Sequence, residues 1–197
     1  MQIQSIENLI KLISKLPGLG PRSARRIALQ LIKNPHNIMI PLSQSLQEVA
    51  AEIKECKSCG NIDVQSPCSI CTSEQRDAST ICVVEDVTDL WAMERGSFYN
   101  GVYHILGGTL SALDGRTPDK LNFESLKSRV ANGNIAEVII ATGATLEGQT
   151  TGYYISDMMK EFNVKSSRLA HGIPVGGELD YMDEGTLTLA MKMRQEF

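Results

Sequence analysis

The sequence predicts an α/β protein: two helices joined by a tight turn, a third helix and a small four-cysteine module, then a parallel sheet with flanking helices and a terminal helix. Three observations predict it. Apolar residues recur at helical spacing near the N-terminus, four cysteines then fall in two C-x₂-C pairs, and from residue 79 short apolar runs alternate with amphipathic segments. Strands that are apolar throughout belong to sheets buried on both faces, and such sheets are built from crossovers through helices.

Taken in order, residues 5–16 place Ile6, Leu9, Ile10, Ile13 and Leu16 on one helical face. Pro17, Gly18 and Gly20 then interrupt the pattern. In the second helix Ala24, Ile27, Ala28, Leu31 and Ile32 share one face, and Arg22, Arg25, Arg26 and Lys33 fall opposite. After "NPHN", Pro41 opens a third helix with the stripe Leu42, Leu46, Val49, Ala50 and Ile53, which runs straight into Cys56.

"CKSCGNIDVQSPCSIC" has the spacing C-x₂-C-x₈-C-x₂-C, with Cys56, Cys59, Cys68 and Cys71. Each C-x₂-C hairpin presents two thiolates, and two hairpins complete a tetrahedral Zn²⁺ shell. Disulfides are disfavoured in a cytoplasmic chain, so structural zinc is the better account. Four protein thiolates leave no open position for water, and a module with so few apolar residues draws on the order of 10 kcal/mol of folding free energy from its metal. Cys82 lies in an apolar run and reads as an inert core residue.

Beyond the cysteines, "STICVVE", "VYHIL", "EVIIAT" and "SSRLA" read as strands, with helices at 87–95, 123–131, 148–162 and 184–194. The expected divisions are 1–54, 55–78, 79–171 and 172–197. Glu85 closes the first strand, and Glu147 lies just past the third, in "ATGATLEGQTT". Ligand sites of open parallel sheets lie at such carboxyl ends. Two carboxylates alone hold a hard divalent cation weakly, so these acids read as vestigial or structural. Tyr153 and Tyr154 read as helix residues rather than nucleophiles, and His171, beside glycine, as a packing or hydrogen-bonding residue. Asp180, Asp183 and Glu184 are placed to cap the last helix. No Gly-Lys pair occurs, so a Walker A loop is excluded.

The 197 residues suffice for one large domain or two small ones. No apolar stretch reaches the roughly 18 residues that span a bilayer, and Glu7 and Asn8 interrupt what a signal peptide would keep apolar, so a cytoplasmic protein is expected. The net charge of −4 hides a split: residues 1–33 hold six basic residues against Glu7, or +5, and the rest hold 13 basic and 22 acidic, or −9. A basic contact module on an acidic body is expected.

"LPGLGPRSARR" resembles a helix-hairpin-helix DNA-binding motif, in which Gly18 and Gly20 admit a phosphate and Arg22, Arg25 and Arg26 add charge. The segments around Glu85 and Glu147 resemble the Toprim domain of topoisomerases and primases. Catalytic members carry an Asp-x-Asp pair that helps to bind Mg²⁺; the matching positions here are Gly143 and Thr145. The order of these parts, with "YHILGG", "LDGRTP" and "GIPVGGELDY", resembles the RecR family of bacterial recombination mediator proteins over essentially the whole chain. One departure is at Gly143, Ala144 and Gln149, where that family usually has Asn, Pro and an acid. The resemblance implies a protein that is not an enzyme. It would bind single-stranded, gapped or duplex DNA without sequence preference, and help load RecA at single-stranded gaps with RecO and RecF. It also implies a homodimer or ring-like homotetramer, whose several weak basic modules gain by avidity. The rival expectation is a Mg²⁺-dependent Toprim nuclease or primase-like enzyme.

Overall fold

The computed structural model describes residues 4–170 and 172–194 and divides into two compact units, Met1–Ile53 and Lys54–Phe197. In the first, α1 (Gln4–Ile13) and α2 (Pro21–Lys33) pack together, with Ala24, Ala28 and Leu31 of α2 buried. The first helix ends three residues before Leu16, which is exposed. Pro17 accounts for this, because a residue before proline is driven out of the α region. The amides of Lys15 and Leu16 instead close tight turns on Leu12 and Ile13.

The third helix, α3 (Ile40–Glu52), is preceded by a π-helical turn at Pro35–Met39, so the helical path opens before Pro41 rather than at it. Pro41 has no amide to give to the previous turn, and the wider register, in which Met39 N–H reaches Asn34 O at 3.2 Å, absorbs the missing donor. Nor does α3 run into Cys56. Ile53 is extended and β1 (Lys54–Glu55) intervenes. Leu42, Leu46, Val49 and Ile53 are all exposed.

In the second unit β1 pairs antiparallel with β2 (Ile62–Asp63), and the short helix α4 (Ser69–Thr72) follows. Then come β3 (Asp77–Val84), α5 (Val87–Gly96), β4 (Gly101–Ile105), α6 (Phe123–Asn132), β5 (Glu137–Ile140), α7 (Leu146–Lys160), β6 (Lys165–Arg168) and α8 (Glu184–Lys192). The four strands form one sheet in the order β4-β3-β5-β6, and it is parallel throughout, as predicted. Its two faces follow the period of two along β3. Ile81 and Val83 pack with Leu126 of α6 and Ile155 and Met159 of α7, whereas Cys82 and Val84 pack with Leu90 of α5 and with Tyr103. Cys82 is fully buried, and burial pushes its thiol pKa up to about 12, so it is chemically quiet.

Strands β3 and β5 are neighbours whose following helices, α5 and α7, lie on opposite faces. Their carboxyl ends therefore border the crevice at which chain connections diverge, where open α/β sheets place ligands. Among the described residues no helix is long and apolar enough to cross a membrane.

Candidate metal centre and nucleic-acid interface

The sulfurs of Cys56, Cys59, Cys68 and Cys71 all lie within 4.8 Å of one another, although the sequence separates the pairs by eight residues. The Cys59–Cys68 and Cys56–Cys71 separations are 3.6 and 4.0 Å. With zinc–sulfur bonds of about 2.3 Å, a tetrahedron has sulfur–sulfur edges of about 3.8 Å, so these thiols fit Zn²⁺ closely. The first hairpin closes through Gly60 N–H to Cys56 O and Cys56 N–H to Asn61 O, and Gly60 supplies the positive φ of +80° that the turn requires. In the second, Cys68 precedes α4, and the Asp63 carboxylate accepts from both the amide (2.7 Å) and the hydroxyl (2.8 Å) of Ser69. Those two bonds lower the Asp63 pKa.

Backbone amides also face the sulfurs. Cys68 N–H donates to Cys56 Sγ at 3.2 Å and Asn61 N–H to Cys59 Sγ at 3.4 Å, and the second of these bonds favours the Cys59 thiolate. Cys71 is held down to about 6, first by the Cys59 thiol that donates to it and then, against burial, by the charge of Arg129. Cys59 is correspondingly raised by the same bond and by burial, and Cys68 is raised chiefly by burial. Binding of a dication to the sulfurs would release the protons that remain on them.

At the strand mouth the structure brings Glu85 to Gly143: the Gly143 amide donates to Glu85 Oε1 at 2.6 Å. Thr145 is a helix cap, its hydroxyl accepting from Gly148 N–H at 3.1 Å, and Gly148 lets the loop fold back on α7 because a Cβ there would lie 2.3 Å from Gly143 O. Glu147 sits half-buried in the first turn of α7, where its carbonyl accepts from the Thr151 hydroxyl. Among the described residues, the cysteines form the only group of three or more His, Cys, Asp or Glu side chains gathered closely enough for a metal. Glu85 and Glu147 belong to no such group.

In the first unit Gly18 takes φ +78°, and Gly20 precedes α2 with no side chain capping it. A Cβ at either glycine would meet nothing within 4 Å, so both backbones are open to a ligand. Arg22, Arg25 and Arg26 are exposed and, among the described residues, make no ion pair. Helix α2 thus begins with open amides beside three free cations.

In the C-terminal segment, of the three acids expected to cap α8, Asp183 does so, accepting from Thr186 N–H at 2.9 Å; Glu184 lies in the first turn and Asp180 in a separate 3₁₀ turn, Leu179–Tyr181. His171 lies outside the described residues. Sequence reasoning missed Arg129, whose Nη1 donates to Tyr103 O, and the Arg76–Glu94 ion pair, which Tyr103 joins by donating to Glu94 at 2.8 Å. An arginine on an amphipathic helix carries no local signal of what its charge meets.

Comparison with known proteins agrees with this construction in order and extent. Residues 6–50 match the RecR helix-hairpin-helix family, 53–73 the RecR four-cysteine zinc-finger domain, 79–170 the Toprim domain and 172–195 the RecR C-terminal family. Recombination protein RecR of Mesorhizobium japonicum is 56% identical over 192 residues, covering 98% of this chain and 96% of the relative. The RecR proteins of Brucella canis and Brucella anthropi are 57% and 56% identical over 189 residues, 96% of this chain and 94% of each relative. With a structural four-cysteine zinc module ahead of a Toprim sheet and relatives this similar along almost their entire length, the chain belongs to the RecR family.

Proposed function

We propose that the chain is a recombination mediator that holds DNA without cutting it, working with RecO and RecF at single-stranded gaps to help load RecA. The observation that carries the DNA-holding part is the N-terminal turn: two open glycines, uncapped α2 amides and the exposed Arg22, Arg25 and Arg26 offer donors and charge to phosphates and nothing that reads bases. The proposed divisions of labour are DNA contact and assembly in 1–54, a zinc-held scaffold in 55–78, a non-catalytic Toprim domain in 79–171 and a C-terminal segment in 172–197. The relatives' shared name, Recombination protein RecR, supports the process.

The non-catalytic reading rests on the strand mouth. Gly143 and Thr145 stand where a metal-binding pair would be, and the Gly143 amide engages Glu85. Hard divalent ions need several oxygen ligands, so Glu85 and Glu147 are poor recruits for metal-assisted strand chemistry. The exposed stripe on α3 supports a homodimer or ring-like homotetramer, in which several weak basic modules act together on a net-acidic chain. A bacterial cytoplasmic location accords with the four reduced cysteines.

The test is gel-shift binding to gapped DNA with and without RecO, beside a Mg²⁺ or Mn²⁺ cleavage assay on the same substrate. Salt-sensitive binding strengthened by RecO, with intact DNA, is expected. Metal-dependent cleavage that disappears in Glu85→Gln would replace the mediator with a Toprim nuclease.

A further inference from the structure

We infer that Arg129 is the cation that balances the charge of the four-cysteine centre and thereby sets how tightly the centre keeps its metal. Four thiolates around one dication leave two negative charges over, in a site where three of the four cysteines are buried. Amide dipoles from Asn61 and Cys68 soften that excess without cancelling it.

The geometry that brings Arg129 there is an interrupted strand pairing. β4 is an edge strand, and on its free side Tyr103 C=O and Ile105 N–H are the two groups that would hold one residue of a further parallel strand. Cys59 fills half of that place: its carbonyl accepts from Ile105 N–H at 2.8 Å. The other half, where the amide of the same residue would reach Tyr103 O, is filled by the guanidinium of Arg129. Arg129 therefore shares one notch of the sheet edge with a zinc-ligating residue.

Two neighbours fix the arrangement. Asn122 Nδ2 donates to Ile105 O at 3.0 Å, closing the next group along the edge, and a Cβ on Gly60 would come within 3.3 Å of Ile105, so the knuckle is pressed against the strand. Arg129 is half-buried on α6 between the buried Leu126 and Val130. Its charge also reaches the buried imidazole of His104, which lies between Tyr103 and Ile105 on β4, and lowers its pKa. A guanidinium suits this place better than an ammonium in geometry, since its planar fork can bond a carbonyl and still present charge to sulfur. The charge itself is what zinc retention requires.

The test compares Arg129→Gln, which keeps a donor for Tyr103 O but loses the charge, with Arg129→Lys, which keeps the charge but loses the fork. Zinc transfer from the full chain to the chromogenic chelator 4-(2-pyridylazo)resorcinol measures retention, and circular dichroism checks the fold. Arg129→Gln is expected to weaken retention about tenfold or more, the usual effect of removing a partner of a metal ligand, and Arg129→Lys to stay near native. Cobalt-loaded protein adds a readout that packing alone would not move: the thiolate-to-cobalt charge-transfer band shifts to longer wavelength in Arg129→Gln and not in Arg129→Lys. Native retention and an unmoved band in a folded Arg129→Gln protein would overturn the inference, as would equal loss in both variants. If Arg129→Gln does not fold, Arg129→Lys decides alone, with near-native retention and band supporting the charge and loss of zinc refuting it.

Discussion

Glu85 and Gly143, 58 residues apart in sequence, meet in one hydrogen bond of 2.6 Å that ties the end of β3 to the loop after β5. The Glu85 carboxylate is thus engaged by a backbone amide, and the two strand ends bordering the crevice are joined. A charge-assisted bond of this kind contributes about 1–2 kcal/mol at a half-exposed site. Glu85→Ala is expected to lose that much in urea unfolding, and Glu85→Gln less, because its amide oxygen still accepts. Gly143→Asn keeps the amide donor, and the atom its Cβ would approach, at 3.2 Å, is the far end of the Glu85 side chain. Its stability should lie within about 0.5 kcal/mol of native. A large loss in Gly143→Asn would mean that the loop does not tolerate a side chain at this position.

The basic face of α2 predicts a change in binding with no change in folding. Arg22 and Arg26 are exposed, and α2 is anchored through Ala24, Ala28 and Leu31 on its other side. The double change Arg22→Glu with Arg26→Glu should reduce affinity for gapped DNA and flatten the dependence of log K on log salt by about two phosphate contacts, roughly 1.4 to 1.8 in slope. Zinc content and melting temperature should stay native. Unaltered DNA binding would remove this face from the interface.

Much of this was legible in the sequence, and the limits are physical. The strands were readable because Ile81 to Val84 are apolar at every position, which only a sheet covered on both faces requires. The cysteine centre was readable because ligand chemistry fixes its spacing. Helix ends were less so: Leu16 keeps the helical period but loses the helix to Pro17, and a π turn replaces the expected start at Pro41. The Glu85 bond could not be read, since its donor is a backbone amide that any residue except proline would supply. Arg129 was invisible for a related reason. Its role depends on which edge of the sheet β4 occupies, and strand order is a property of the whole fold.

The knuckle's attachment to β4 predicts that zinc stabilises more than its own loop. Cys59 O accepts from Ile105 N–H, so loss of the metal loosens a residue that satisfies a strand edge. Replacing Cys56 and Cys59 by Ser should abolish stoichiometric zinc and lower the unfolding free energy by several kcal/mol, a fraction of the ~10 kcal/mol typical of structural zinc because the sheet persists. Hydrogen exchange should quicken at Ile105 before it quickens at Val83 in the sheet centre. Equal melting of the variant and the zinc-loaded protein would contradict a structural role.

His104 gives the chain a calculable acid sensitivity. It is 1% exposed on β4, its Nε2–H donates to Asn122 O at 2.9 Å, and among the described residues its Nδ1 has no partner. Burial pushes its pKa down to about 4; the Asn122 carbonyl opposes the shift and the Arg129 charge adds to it. An unfolded histidine takes up its proton near pH 6.5, so between about 6.5 and 4 the unfolded chain binds a proton that the folded one refuses. Stability from this group is therefore complete above pH 6.5, falls as the pH drops, and stops falling below about 4, for a total of about 3 kcal/mol at about 1.4 kcal/mol per pH unit. Replacing His104 by Gln keeps a donor for Asn122 O and removes the titration. Urea unfolding of both proteins from pH 7 to 4.5 isolates the effect, because the thiols titrate alike in each. The native protein should lose about 2 to 3 kcal/mol relative to His104→Gln over that range, and parallel pH profiles would show that the buried imidazole is protonated, or released to water, in the folded state.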